Sequence, residues 1–274
     1  MKSRFSFVLA GSVFLQFVVG AQTHATTTIN RDFETKSLTG LRVSGNSPAI
    51  ESKIRRLGYH GMRSVLDRYS SPVPYRTEAR VIAADPLVGK EYWYGFSVYL
   101  PTDFVPDLKC YWELIAQWHS NPDDGDKLVG PPIALSSNRG EWQVINRSTG
   151  TRILKDASDV RTRTFSLGKY VTGRWTNWVF RVKWSYGTDG ILEVWKNGVK
   201  VISAKGPNTF NDARMPFFKM GIYKGWKAGM PSSVTRRVVY HDQFRMVGPG
   251  GSYTAVAPAS NPYSLAAPST FTAQ

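Results

Sequence analysis

The 274-residue chain is poor in two things that decide chemistry, cysteine and carboxylate. It has one cysteine, Cys110, so no internal disulfide can form. In "DLKCYWELIAQWH" that residue reads as a small buried apolar side chain. It has 20 Asp and Glu against 35 Lys and Arg, a formal charge of +15. No amphipathic helix of convincing period appears, which argues against a bundle. No fixed-period repeat appears either, which argues against a solenoid. The one marked apolar run, at the N-terminus, is short and broken by Gln16, which argues against a membrane anchor.

That run follows Lys2 and Arg4 and ends in small residues at Val19-Gly20-Ala21, with a second candidate cleavage point at Thr23-His24-Ala25. This is the layout of a signal peptide over residues 1–25, so a secreted protein is expected, extracellular or periplasmic. No cysteine near the cleavage region offers a lipid site. Residues 1–25 hold two basic and no acidic residues, so the mature form keeps 33 − 20 = +13. Such a charge concentrates polyanions. Outside the cell that partner is an acidic polysaccharide in preference to nucleic acid, and a monomer with no membrane contact after cleavage is expected.

From Tyr75 to Val247 the sequence is a succession of β-rich runs, among them "EYWYGFSVYLP", "ELIAQWH", "TNWVFRVKWS" and "RRVVYHDQFRMV". Asn197-Gly198 between two alternating arms is a hairpin signal. Many strands without intervening helices predict an all-β fold, an antiparallel sandwich or jelly roll of the concanavalin A-like kind with a concave groove, over residues 26–250. Residues 26–70 are mixed in character, with weak strand or short-helix tendencies. The Gly-, Pro-, Ser- and Ala-rich residues 251–274 read as a flexible tail.

Alternation on these strands groups the polar side chains. In "FFKMGIYKG", Phe218, Met220 and Ile222 take one face; Phe217, Lys219 and Tyr223 take the other, with Gly221 leaving a gap between amine and phenol. Gln117 and His119 share a face in "ELIAQWH", as do Arg76, Glu78 and Arg80 in "YRTEAR". Arg181 and Lys183 share one in "TNWVFRVKW", and with Lys224 they are candidate substrate contacts.

The set is rich in cations and neutral donors. A glycoside hydrolase needs two carboxyl groups flanking its bond. The paired-acid strand Glu-x-Asp-x-x-Glu is absent, and "DGILE" has the wrong spacing beside a turn. β-Elimination from a uronate needs a different set. A base removes the proton on C5, a donor protonates the leaving oxygen, and cations stabilise the charge that develops on the carboxylate.

The ordered pieces Ala-Gln-Trp-His, Gly-x-Trp, Trp-x-Asn-Gly and Lys-x-Gly-x-Tyr resemble the secreted polysaccharide lyases that include heparin lyase I, and are similar to the glucuronan lyases. The resemblance spans roughly Tyr75 to Met246. It implies His119 as base, Tyr223 as proton donor to the leaving group, Lys219 as the lysine of the same strand, Arg76 as carboxylate-binding arginine and Gln117 as a groove amide. Whether His119 or Tyr223 takes the proton depends on the uronate epimer. It implies no cofactor for the chemistry, and a structural calcium for which Asp242 in "YHDQF" is a candidate ligand. The heparin lyases' large basic insert has only Asn146 to Thr164 as a counterpart, which favours an unsulfated polyuronate such as glucuronan or alginate. A lectin-like module and a hydrolase on the same fold stay open as alternatives.

Overall fold

The computed structural model describes residues 28–110, 112–227 and 229–259, so the expected signal peptide lies outside the described residues. Fifteen strands dominate it. They are β1 (Thr28–Arg31), β2 (Leu41–Gly45), β3 (Ala49–Glu51), β4 (Gly61–Asp67), β5 (Arg76–Val81), β6 (Glu91–Leu100), β7 (Glu113–Asn121) and β8 (Ile133–Asn138). There follow β9 (Glu141–Ser148), β10 (Arg161–Lys169), β11 (Arg174–Lys183), β12 (Ile191–Lys196), β13 (Val199–Lys205), β14 (Arg214–Lys224) and β15 (Arg236–Val247).

Two antiparallel sheets pack face to face, as a jelly-roll sandwich requires. One has the order β13-β12-β11-β6-β15-β4-β3, with β1 also on β15; the other runs β10-β9-β8-β7-β14-β5-β2. Alternation accounts for the core between them. Tyr94, Phe96 and Val98 of β6 and Trp178, Phe180 and Val182 of β11 meet Trp118 of β7 and Phe218, Met220 and Ile222 of β14. The Asn197-Gly198 turn has positive φ at both residues, 51° and 86°, the twist a two-residue hairpin needs. The poorly patterned residues 28–67 supply four strands, β1 to β4, divided between the two sheets.

The C-terminal segment differs from its sequence expectation. Residues 251–259 are not a free tail, because a short helix α1 (Tyr253–Val256) docks on the outside of the eight-stranded sheet. Val256 packs there with Trp93, Val179 and Val247. A Cβ on Gly95 would overlap the Val256 carbonyl oxygen, so the glycine makes the docking site. Among the described residues no helix is long and apolar enough to cross a membrane.

Candidate active site

The outer face of the seven-stranded sheet carries the polar set. β14 runs between β5 and β7, with Lys219 opposite Gln117 on one side and Arg80 on the other. Tyr223 pairs with Arg76, and His119 pairs with Phe217. Five of the expected site residues, Arg76, Gln117, His119, Lys219 and Tyr223, therefore share one face.

Two irregularities shape that face. β7 has one extra residue against β8 at Ile115, so Ile115 and Ala116 both enter the core. The simple alternation expected for "ELIAQWH" holds only from Ala116 onward. β14 has one extra residue against β7 between Met220 and Tyr223, where Gly221 has φ +136°. A Cβ there would overlap the Thr77 carbonyl oxygen, so glycine is required by the backbone. Gly221 does not leave an empty gap. Glu78, its partner on β5, reaches past it to receive hydrogen bonds from Lys219 Nζ and, on the far strand, from Gln117 Nε2.

This changes the expected role of Lys219. Glu78, Gln117 and Lys219 are only 2%, 1% and 3% exposed. The lysine already has a carboxylate partner, so it is a buried support and not a free cation awaiting a substrate carboxylate. Gln117 likewise commits an amide hydrogen to Glu78. Arg76 is different: its guanidinium lies 4.5 Å from the centre of the Tyr223 ring, and its buried Nε has no hydrogen-bond partner. Among the described residues it makes no ion pair, which leaves it available for an anion.

A backbone neighbour fixes the tautomer of His119. Its Nδ1 lies 2.7 Å from the Ser120 carbonyl oxygen, which can only accept, so Nδ1 carries the hydrogen and Nε2 keeps its lone pair. The ring stacks on Phe217 with centroids 5.2 Å apart, and Arg80 covers Phe217 at 3.7 Å. Burial pushes the imidazole below its ordinary range, the Ser120 carbonyl raises it, and Lys219 and Arg76 add to the lowering. Tyr223 stands edge-on to Trp112, centroids 4.9 Å apart.

Three proposed substrate contacts lie elsewhere. Arg181 and Lys183 alternate outward on β11, in the other sheet, where Arg181 pairs with Glu91 and Glu193 and Lys183 with Asp189. Lys224 follows Tyr223 and so points inward. It is buried against Asp107 and Glu113, beside Arg237 from the opposite sheet. Periodicity identified outward faces without distinguishing the two sheets.

Asp242 does not fit calcium. It is buried on the outer side of the eight-stranded sheet and accepts backbone N–H groups from Arg56, Leu57 and Gln243, donors that a cation would have to displace. Burial pushes its carboxyl up to about 7. Among the described residues, Asp123, Asp126 and Asp212 instead bring ligand oxygens within 4.8 Å of one another. Burial, then the Asp126 charge, raises Asp212 to about 6. These three are close enough to share a cation, although Asp126 accepts backbone N–H groups from Asp123 and Leu154 and Asp123 accepts one from Ala213. They lie in the loops after β7 and before β14, and no proton-transfer residue is among them.

Sequence reasoning placed Glu78 and Arg80 on the right face but gave them no role. The Arg-x-Glu-x-Arg alternation was the available signal; the reach of Glu78 across a whole strand was not encoded in it.

The chain matches the polysaccharide lyase family over residues 22–245. No curated protein matches it in sequence. Its fold is similar to that of an endo-β-1,4-glucuronan lyase from the fungus Trichoderma reesei, with TM-score 0.72 and 20% identity over 85% of this chain and 99% of that one. It is also similar to the alginate lyase AlyC3 in complex with dimannuronate, with TM-score 0.51 and 14% identity over 78% and 91% of the two chains. With a family match over most of its length and a two-sheet sandwich to go with it, the chain belongs to the polysaccharide lyases.

Proposed function

We propose that this lyase cleaves an unsulfated uronate polymer by β-elimination, and that it does so outside the cytoplasm as a secreted monomer. The observation that carries the reading is the pairing of a half-buried histidine, its Nε2 free, with an arginine that has no ion-pair partner among the described residues. Arg76 takes the carboxylate of the sugar that loses its C5 proton. His119 Nε2 removes that proton, the electron pair forms the C4=C5 double bond, and the C4–O bond breaks. The Tyr223 hydroxyl gives its proton to the departing oxygen. Arg80, itself paired with Asp85, covers Phe217 beneath the His119 ring, and the Lys219–Glu78–Gln117 group below holds the geometry.

An unsulfated chain is favoured because four of the five basic side chains from Asn146 to Thr164, all but the exposed Arg161, are engaged with the protein itself. Arg147 donates to the Pro131 carbonyl, Arg152 pairs with Asp123, Lys155 donates to the Gly125 carbonyl, and Arg163 donates to Lys205 and Pro207 carbonyls. A cation at Asp123, Asp126 and Asp212 would tie two loops together and would contribute structure only.

Incubation with glucuronan, alginate, pectate, hyaluronan and heparin tests the reading. Ultraviolet absorbance from unsaturated ends is expected with at least one unsulfated polyuronate and not with heparin. Silence across the panel would refute it, and new reducing ends without absorbance would indicate hydrolysis.

The pH profile is a second test. The base must be neutral, and its proton affinity is lowered, so the acid limb of kcat/KM is expected below pH 6.5, the ordinary histidine value. Activity falls as pH drops through that limb. A limb at or above pH 7 would rule out His119 as the base in this environment.

A further inference from the structure

Beyond Tyr223, at the end of β14, three loops border an open cavity of about 770 Å³. Val73 and Pro74 come from the loop before β5, Trp112 from the loop before β7, and Trp226, Lys227 and Met230 from the loop after β14. Tyr223 forms part of its wall, so the cavity is continuous with the candidate active site.

We propose that this cavity is the binding subsite for the sugar on the leaving-oxygen side of the broken bond, with Trp112 as its stacking platform. The inference rests on the reading of the preceding subsection. His119 pairs with Phe217, and Tyr223 lies six positions further along the same strand toward the cavity. In the elimination the base acts at C5 and the acid at the oxygen on C4. The sugar that departs with this oxygen therefore extends away from His119, past Tyr223, into the cavity.

The lining suits a uronate unit. Trp112 is partly exposed and is set in place on two sides. Its edge meets Tyr223, and its indole lies over Gly225, where a Cβ would strike the six-membered ring. Gly225 also donates its N–H to the Trp112 carbonyl at 3.0 Å. Trp226 is no platform: it is buried, with Nε1 donating to Ser232 at 2.9 Å and its ring edge-on to Tyr75. An indole face takes the C–H face of a pyranose, and the exposed Lys109 and Lys227 at the lining provide cations for its carboxylate.

The test measures oligoglucuronate binding by calorimetry on a Tyr223→Phe background, alongside product patterns from the active enzyme. Trp112→Ala is expected to weaken binding roughly tenfold and to change which bond of a defined hexamer is cut, while Trp112→Phe restores most of the affinity. Lys227→Glu, an exposed change that folding tolerates, is expected to weaken binding in a salt-dependent way. If Trp112→Ala and Lys227→Glu both leave affinity and product pattern unchanged, the subsite assignment is wrong. If Trp112→Ala fails to fold, Lys227→Glu alone decides it. Absence of turnover by the unaltered enzyme on every polyuronate would overturn the underlying lyase reading instead, so the two failures are told apart.

Discussion

Tyr223→Phe is expected to lower kcat by a factor of about 10² to 10⁴, the range a positioned general acid or base contributes, and to leave oligouronate affinity nearly intact. The substitution removes one oxygen. The ring keeps its edge contact with Trp112 and its place beneath the Arg76 guanidinium. Binding should therefore survive while the departing oxygen loses its proton source. That split between kcat and affinity is the signature of an interaction made in the transition state. Steady-state rates from absorbance and Kd from calorimetry check it. A kcat within tenfold of the unaltered enzyme would remove Tyr223 from the chemistry. A lectin on this fold would have no turnover to lose.

Glu78→Ala should have the largest effect on stability. It leaves the Lys219 ammonium buried without a carboxylate and Gln117 without its acceptor. Breaking a buried ion pair from one side costs about 3–5 kcal/mol, because the remaining charge stays desolvated. Removing both charges is different: Glu78→Leu with Lys219→Met leaves no unpaired ion and should recover much of the loss. Urea unfolding of the single and double variants measures both. A single variant within about 1 kcal/mol of the parent would show that the pair is not the support described here. So would a double variant no better than the single. In the folded fraction of Glu78→Ala the uncompensated Lys219 charge should lower the proton affinity of His119 further and move the acid limb of activity to lower pH.

Much of the fold was legible because its information is local. The alternation of β6, β11 and β14 states which side chains enter the core, and Asn197-Gly198 states where one hairpin turns. The polar face was legible for the same reason, and Arg76, Gln117, His119, Lys219 and Tyr223 do share a surface. Three kinds of information were not local. Which sheet an outward side chain belongs to depends on topology, and that separates Arg181 and Lys183 from the site. Whether a lysine is free depends on partners far away in sequence: Glu78 for Lys219, and Asp107 and Glu113 for Lys224. A bulge moves the phase of alternation at Ile115, another shifts the register of β14 against β7 at Gly221, and no composition rule predicts where they fall.

The docked helix α1 has a practical consequence. It pins the chain to the outer side of the eight-stranded sheet, and the Ala259 carbonyl is held by Arg56 on that same side. The last described residues thus leave from the back of the sandwich, with the whole core between them and Tyr223. A linker joined there would let the protein be fixed to a bead or a sensor surface with its working face turned outward. A polymer too long to diffuse into a crowded matrix could then still be drawn across an immobilised layer of the enzyme.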